Sequence, residues 1–374
     1  MPAYKNEKRG TWFVSFHYKD LDGTPRRKKK EGFKTKREAL EWERDFLNAK
    51  AGTTDMTLGS LYEIYIEDCK KRLRQTTIEI KRSMIESKIL PTFRNTQVRE
   101  ITPAMVRHWQ NDLLDHMNKE GKGYAATYLK ELNDQFSTMM NYAIRFYGLD
   151  KNPVTQCGPF GRLSSKDMQF WTQNEFRIAI AQVKNPVAKL AIELLFWTGM
   201  RSGELLALTL EDIDFEKGTI SISKTLGSVR GGTIINPPKT PKSNRVIPVP
   251  RFMLQRIKEY TDRLVEYEPQ DRIFNISKIV LKKELDAAAI AAEIKRIRVH
   301  DLRHSHASML IEMGYSPLVI SERLGHENIQ TTLQTYSHLY PNKQKELVKK
   351  LEDIETENND VVLLNFKKKD EECT

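Results

Sequence analysis

The chain has 374 residues, of which 39% are hydrophobic and 30% charged, so two or three globular domains are expected. Its formal net charge of +11 favours a polyanionic partner such as nucleic acid. A transmembrane helix is excluded because no run of about 18 apolar residues occurs. The three cysteines are too scattered for a metal site or disulfide framework, and the first residues lack a signal-peptide core, so we expect a cytoplasmic protein.

Residues 1–50 are predicted to form a small sheet covered by one helix. The segment Trp12–Tyr18 combines aromatic and β-branched residues as a strand does, and Leu21–Pro25 contains the Asp-Gly pair typical of a hairpin turn. The basic run after this turn is predicted to continue into a third strand through Glu-Gly-Phe. A helix is predicted to follow Thr35, because Thr35 and Glu38 have the spacing of a capping box.

This small unit carries more than half of the excess positive charge, with 14 Lys or Arg against 8 Asp or Glu in residues 1–50. One helix cannot cover both faces of a three-stranded sheet, so the other face is free to lie in a DNA groove. The candidate DNA-binding residues are Arg26, Arg27, Lys28, Lys29 and Lys30. A charged hairpin that is merely solvated is an equally good interpretation of this run taken alone.

Residues 57–150 are predicted to form a compact unit of four amphipathic helices. The second helix is expected to stop at Pro91. The third is expected to begin with Thr102 as N-cap and Pro103 in its first turn, and the fourth to end at Gly148. We interpret the aromatic and methionine stripes of these helices as core rather than as a cofactor site.

A larger C-terminal domain is predicted after a Pro-, Gly- and Ser-rich linker at residues 151–167. In this domain an apolar helix is predicted to end at Gly199, and Arg201 follows at the start of the next helix. An arginine on such a corner can hold a phosphate with two hydrogen bonds. Pairing with Glu204 or Asp212 at the surface is locally at least as good an interpretation.

Candidate acid–base and nucleophilic groups lie in three later segments. Lys239 occupies a polar turn among three predicted strands in residues 218–250, where a lysine can serve as a general acid or simply be solvated. His300 and Arg303 are three residues apart and share a face if a helix begins there. Tyr336 lies late on a predicted helix, ten residues after His326.

A metal site is the competing interpretation of the histidine-rich segment. His300 and His304 have the i, i+4 spacing of zinc ligands, and His306 lies close by. The glutamate that completes the HExxH pattern is missing between them. We therefore predict that this segment holds no metal.

Four segments of the C-terminal domain resemble the signature regions of the tyrosine recombinase family, also called the phage integrase family. They occur in the family's order and spacing over residues 170–340, as TGMRSGELLAL around Arg201, PPKTPKSNRVIPV around Lys239, HDLRHSHAS around His300 and Arg303, and LGHENIQTTLQTYSHL around His326 and Tyr336. Residues 57–150 resemble the family's core-binding domain. Residues 1–50 resemble the arm-binding domain of integrases from conjugative transposons and temperate phages.

The resemblance implies a multidomain α+β fold. We expect a small three-stranded sheet plus helix, a helical core-binding domain, and a mainly α catalytic domain with a small antiparallel sheet. The expected boundaries are 1–50 for arm-site binding, 57–155 for core binding, 168–345 for catalysis and 346–374 for a C-terminal tail.

The resemblance also implies a reaction, in which DNA is cut and rejoined through a 3′-phosphotyrosine for integration and excision. Two arginines would carry the charge that Mg²⁺ carries in many phosphoryl-transfer enzymes, so neither metal nor other cofactor is expected. The implied roles are Tyr336 as nucleophile, Arg201 and Arg303 as phosphate clamp, His326 as a further donor, His300 as base, Lys239 as general acid with Lys242 as second choice, and Glu204 as support for Arg201.

The implied partners are double-stranded DNA at core and arm attachment sites and three further copies of the chain in a homotetramer. An accessory excision factor and a host DNA-bending protein are also expected, with the protein on the nucleoid of a bacterial cell when bound and no contact with a membrane. The apolar segment Val361–Phe366 is predicted to be a strand that docks either on a neighbouring protomer or on its own domain.

Two other functions compete with a recombinase. A type IB topoisomerase uses a similar set of Arg, Lys, His and Tyr groups, but an N-terminal arm-binding unit favours integration. A non-catalytic DNA-binding regulator on the same fold is disfavoured by the complete set of catalytic positions.

Overall fold

The computed structural model describes residues 3–7, 9–19, 25–50, 54–162, 168–238, 241–339 and 348. The chain divides into two compact units, one of residues 1–166 with 228–232 and the other of residues 167–227 with 233–374. Among the described residues, no helix is long and apolar enough to cross a membrane.

The first unit begins with an antiparallel sheet in the order β1 (Tyr4–Asn6), β2 (Thr11–Lys19), β3 (Pro25–Phe33), followed by helix α1 (Lys36–Lys50). The predicted sheet and helix are confirmed, but the predicted third strand is wrong. Glu31–Phe33 continues β3, because its pairing with β2 runs without a chain reversal from Pro25 to Phe33. The third strand is β1, at the N-terminal edge.

The capping box predicted at the start of α1 is present. The Glu38 amide donates to Thr35 Oγ1 at 3.2 Å, and the Thr35 amide donates to Glu38 Oε2 at 3.4 Å. Helix α1 covers one face of the sheet and buries Ala39 and Phe46 against Val14 and Phe16. The opposite face of the sheet is not covered by this helix.

The helical part of the first unit has its own core, centred on Phe93, Trp109 and Phe136. Thr102 caps its third long helix with Pro103 in the first turn, and Gly148 ends the fourth with φ +71°, both as predicted. Its helices are α2 (Leu58–Arg72), α3 (Gln75–Met84), α4 (Leu90–Phe93), α5 (Pro103–Asp115), α6 (Ala126–Tyr147) and the short α7 (Pro153–Gln156).

The expectation that the second helix stops at Pro91 is wrong. A π-helical turn, Ile85–Ile89, joins α3 to α4, and Pro91 lies in the first turn of α4. Proline has no N–H to donate and its ring crowds the preceding turn, so a wider turn before it lets the helical path continue to Phe93.

The second unit is mainly helical. Its described helices are α8 (Gln173–Gln182), α9 (Pro186–Thr198), α10 (Ser202–Ala207), α11 (Arg251–Thr261), α12 (Lys278–Ala291), α13 (Asp301–Glu312), α14 (Pro317–Leu324) and α15 (Ile329–Tyr336). Helix α9 packs against α8, α10, α11, α12 and α13. Because α9 lies at the centre of this unit, its C-terminal end is a rigid platform for the residues that follow.

Two small antiparallel sheets lie within residues 213–248. One has the order β4 (Ile213–Asp214), β5 (Thr219–Ile222), β8 (Arg245–Pro248), and the other pairs β6 (Thr225–Val229) with β7 (Gly232–Asn236). The three strands predicted in residues 218–250 are therefore four, since the first splits into β5 and the start of β6. The small antiparallel sheet expected beside the helices is confirmed.

Candidate active site

The first site residue stands on the corner between α9 and α10. Gly199 ends α9 with φ +67°, as predicted, and a Cβ there would lie 2.6 Å from Cδ2 of His306. Arg201 is the N-cap of α10, with its side chain 38% exposed. Its amide donates to Glu204 Oε2 at 2.8 Å and its Nη1 to Glu204 Oε1 at 2.9 Å. Glu204 therefore fixes both the backbone and the guanidinium of Arg201.

Glu204 is held from the other side by Arg245 at the start of β8. Arg245 donates from Nη2 to Oε2 at 2.9 Å and from Nη1 to Oε1 at 3.3 Å, and each side chain is 7% exposed. Burial alone would raise the pKa of Glu204. Hydrogen bonds and charge from Arg245 and Arg201 outweigh burial, so the pKa lies below its usual value and the carboxylate is ionised at neutral pH.

Arg245 also contacts the turn between α14 and α15. Its Nε donates to the carbonyl of Arg323 at 3.0 Å. Gly325 turns the chain with φ +68°, and a Cβ at this position would lie 2.9 Å from Cδ of Arg245. Glycine is therefore required here for the backbone conformation and for the close approach of the arginine.

Arg303 reaches the same turn from α13. It is 3% exposed and donates from Nη1 to the Gly199 carbonyl at 2.9 Å and from Nη2 to the Leu324 carbonyl at 2.7 Å. Burial, together with repulsion from Arg201, lowers the pKa of Arg303 to about 9, so it still carries its charge at neutral pH. Arg201 donates from Nη2 to the next carbonyl, that of Gly325, at 3.5 Å. Two arginines from separate segments thus meet at one turn.

His326 follows this turn directly, and its Nδ1 lies 2.8 Å from the hydroxyl of Thr332, which is fully buried. Burial first, and then the positive charge of Arg303 and Arg201, lowers the pKa of His326 to about 3. The imidazole is therefore neutral at pH 7. Its orientation is set by α15, the helix that also carries Tyr336.

Tyr336 is the last residue of α15 and is 1% exposed. It packs in a small apolar cluster with Ala307, Ile311, Ile320 and Leu324. Burial raises the pKa of the phenol to about 12, although the nearby charge of Arg303 opposes this. The phenol is therefore fully protonated at neutral pH.

The hydrogen bond that the structure gives the Tyr336 hydroxyl is with Nδ1 of His304, at 2.8 Å. His300, predicted to be the base, is exposed at the N-cap of α13 and makes ring contact with His304 at 5.3 Å. Loss of solvation and repulsion from Arg303 lower the pKa of His300 as well. The structure thus brings the predicted base next to a second histidine that contacts the predicted nucleophile directly.

The predicted general acid, Lys239, lies outside the described residues. The second choice, Lys242, is exposed and donates from Nζ to the carbonyl of Glu327 at 3.1 Å. This contact joins the segment after β7 to the loop that carries His326.

The basic run of the N-terminal sheet is divided between two faces. Lys28 and Lys30 lie over the rings of Phe46 and Trp42 of α1, at 5.7 Å to each centroid. The three other basic residues are exposed, and Lys29 lies over Phe13 at 4.8 Å. Two of the five predicted DNA contacts, Arg27 and Lys29, therefore lie on the face of the sheet that α1 leaves open.

The sequence interpretation missed three residues of the site. Arg245 was within the PPKTPKSNRVIPV segment, but a strand arginine gives no local sign that it is buried. In the sequence, the spacing of His304 from His300 indicates only a possible metal ligand. Thr332 lies one helical turn before Tyr336, so the two residues share a face of α15. This spacing is the sequence signal that could have identified Thr332.

Comparison with known proteins gives three family matches in chain order. The phage integrase family matches residues 170–343, the N-terminal SAM-like domain of phage integrases matches residues 57–114, and an arm DNA-binding domain matches residues 2–50. The ICEBs1 integrase of Bacillus subtilis (strain 168) is 28% identical over 363 residues, covering 91% of this chain and 96% of that protein.

Two sets of solved structures share the fold. The integrase of transposon Tn1549, in complex with transposon right end DNA, has a TM-score of 0.61 at 18% identity and covers 75% of this chain and 95% of its own. A lambda integrase tetramer bound to a Holliday junction has a TM-score of 0.55 at 20% identity and covers 87% and 96%. With family matches over residues 2–50, 57–114 and 170–343, the protein belongs to the phage integrase family and is a tyrosine-type site-specific DNA recombinase.

Proposed function

We propose that the chain integrates and excises a mobile element, cutting and rejoining DNA through a 3′-phosphotyrosine on Tyr336. The observation that carries this proposal is the meeting of Arg201 and Arg303 at the carbonyls of Gly325 and Leu324. This turn immediately precedes His326, and α15 connects it to Tyr336. The two positively charged arginines therefore contact the same short stretch of chain that carries the donor, His326, and the nucleophile, Tyr336.

The two arginines are proposed to clamp the non-bridging oxygens of the scissile phosphate. A guanidinium has five N–H groups in a fixed plane, and the described contacts of Arg303 use two of them. Arg201 is partly exposed, so its remaining donors can face DNA. Fixed donors of this kind act where negative charge gathers in the transition state.

His326 is proposed to donate a further hydrogen bond to the phosphate. The neutral ring has one N–H. If the Thr332 hydroxyl donates to Nδ1, the proton of the ring is on Nε2 and is free to bind a phosphate oxygen. This tautomer makes His326 a donor without adding a third positive charge beside Arg201 and Arg303.

Proton transfer to the leaving 5′ oxygen is assigned to Lys239, with Lys242 as second choice. His300 is exposed next to the charges of Arg303 and Arg201, which supports a role for it in proton transfer at the phosphate. Positive charge on the two arginines supplies what Mg²⁺ supplies in many other phosphoryl-transfer enzymes. Because the phosphotyrosine conserves the energy of the phosphodiester, rejoining needs no ATP.

We further propose how the chain is divided among its tasks. Residues 1–50 would bind the arm sites, and residues 57–155 would bind the core sites. Residues 168–345 would carry out catalysis, and residues 346–374 would contact a neighbouring protomer. Recombination between two sites requires four strand cuts, which supports a homotetramer on DNA. An accessory excision factor and a host DNA-bending protein complete the proposed partners, and the bacterial cytoplasm, with the nucleoid, is the proposed location.

The function is tested with a nicked suicide substrate that carries the core site. Wild type is expected to give a covalent protein–DNA band, and Tyr336→Phe is expected to bind the same DNA without giving the band. Tight binding by the wild type without a band would instead favour a regulator. Relaxation of a plasmid that lacks the core site would favour a topoisomerase.

The proposed role of the tail has its own test. Deletion of residues 356–374, which include the predicted strand Val361–Phe366, is expected to weaken assembly of the tetramer on DNA. These residues lie outside the described part of the chain. Unchanged assembly, measured by the size of the complex in solution, would show that the tail docks on its own domain or is dispensable.

A further inference from the structure

The hydroxyl of Tyr336 is bound by a histidine to which the family resemblance gives no role. Nδ1 of His304 lies 2.8 Å from Oη, with the two ring centroids 5.6 Å apart and the planes inclined at 62°. His304 lies one turn along α13 from His300. The direct contact with the nucleophile is therefore made by the second histidine of the pair.

The direction of this hydrogen bond depends on the charge states of the two groups and on the tautomer of His304. Burial, and then repulsion from His300 and Arg303, lowers the pKa of His304 to about 4, with Asp301 opposing and Arg298 adding to the effect. Burial raises the pKa of Tyr336 to about 12. At pH 7 a neutral imidazole therefore faces a protonated phenol. In the tautomer that carries the ring proton on Nε2, Nδ1 accepts the hydrogen bond from Oη–H.

This arrangement addresses a chemical difficulty in the proposed reaction. A phenol buried beside apolar side chains loses its proton less readily than one in water, so it is a poor nucleophile until a base takes that proton. The base has to lie within hydrogen-bond distance of the phenol. Among the described hydrogen bonds, the contact that meets this condition is with His304.

We propose that His304 is a catalytic residue that accepts the proton of Tyr336, an inference that rests on the proposed role of Tyr336 as nucleophile. Oη of Tyr336 forms a bond to the phosphorus of the scissile phosphate as its proton passes to Nδ1 of His304. The bond from phosphorus to the 5′ oxygen breaks, and this oxygen takes a proton from the general acid assigned to Lys239. In rejoining, His304 returns the proton to the phenolic oxygen.

Two substitutions separate proton transfer from simple positioning. His304→Leu removes the acceptor. His304→Asn retains an oxygen acceptor near the place of Nδ1, but an amide does not take a proton at neutral pH. Each variant is expected to form the covalent complex on the nicked suicide substrate about 100-fold more slowly than wild type in a single turnover. DNA affinity and thermal unfolding are measured on the same samples.

A second measurement reports on the proton itself. Difluorotyrosine placed at position 336 is a more acidic phenol and depends less on a base. In the His304→Leu background it is expected to raise the cleavage rate by about tenfold or more over ordinary tyrosine, and to change the wild-type background much less. A purely structural defect would not respond to the acidity of the phenol.

Some results of these experiments would overturn the proposed role of His304, and another would count against the proposed function. An undiminished rate in His304→Leu, recovery of the rate in His304→Asn, or no response to difluorotyrosine would each overturn the proposal. A faster rate in His304→Leu would also overturn it, since His304 would then restrain the nucleophile. Absence of a covalent band with wild type would count against the proposed function instead, so the two failures are distinguishable.

Discussion

Glu204 and Arg245 form a buried ion pair that connects the corner carrying Arg201 to strand β8, with Nη2 and Oε2 2.9 Å apart. The same carboxylate binds the amide and Nη1 of Arg201, and Arg245 binds the carbonyl of Arg323. The orientation of the proposed phosphate clamp therefore depends on a residue that does not face the phosphate. A bidentate pair of this kind needs the planar fork of arginine.

Arg245→Met is expected to lower the free energy of unfolding by about 3 kcal/mol, because it leaves the charge of Glu204 buried with only one partner. Urea unfolding of the full chain measures this. Lys258→Met is the matched control, since Lys258 and Asp262 form an exposed pair that contributes less than about 1 kcal/mol. Equal losses in the two variants would contradict the importance of the buried pair.

Thr332→Val is expected to slow covalent complex formation by about tenfold, which corresponds to the loss of one hydrogen bond to the His326 ring. Valine has almost the same shape, so the packing of this fully buried position is retained. Thr332→Ser keeps the hydroxyl and should retain most of the activity. If valine and serine had the same effect, the hydroxyl would not be what orients His326.

Gly199→Ala is expected to destabilise the protein by about 2–4 kcal/mol, because it combines a strained backbone with overpacking against His306 and Leu324. Gly218→Ala is the control in the same unit. Gly218 has a similar φ of +71°, but the nearest atom to a new Cβ, on Leu254, is 3.8 Å away. Chemical denaturation of both variants should therefore show the larger loss at Gly199.

Arm-site binding is expected to depend on the face of the sheet that α1 leaves open. Arg27→Ala and Lys29→Ala should each weaken binding to arm DNA and reduce the slope of log K against log salt by about 1. Lys30→Ala should change the slope less, because Lys30 lies on the other face of the sheet, over Trp42 of α1. A titration in which all three variants lose the same slope would contradict this division.

Acid is expected to destabilise the protein through its buried histidines. Burial, and then repulsion from Arg323, lowers the pKa of His306 to about 3, whereas the unfolded value is 6.5. On going from pH 7.5 to pH 5.5 the unfolded chain takes up a proton that the folded chain does not, so His306 alone lowers the free energy of unfolding by about 1.4 kcal/mol. His304 and His326 act in the same direction.

The control for this pH dependence is His306→Gln, whose side-chain oxygen can still accept the hydrogen bond from Nε of Arg323. Urea midpoints of the variant should fall less steeply with pH than those of wild type, by about one proton. Identical slopes in the two proteins would show that His306 does not contribute to the acid sensitivity.

Local signals predicted most of the elements. The capping box at Thr35, and the glycines that end α6 and α9, are found where the sequence placed them. The failures also have local causes. The predicted stop at Pro91 did not allow for a π turn, and β1 is only three residues long, too short to stand out as a strand pattern.

The sequence by itself determined the family, the α+β architecture and the residue types of the candidate site, because each signature segment is short and its pattern is visible along the chain. Tertiary structure decided which of these residues meet. Arg245 on β8 pairs with Glu204, and His304 rather than His300 contacts Tyr336. These contacts join segments 32 and 41 residues apart. Such distances are set by how helices and strands pack, and no periodicity within a segment encodes them.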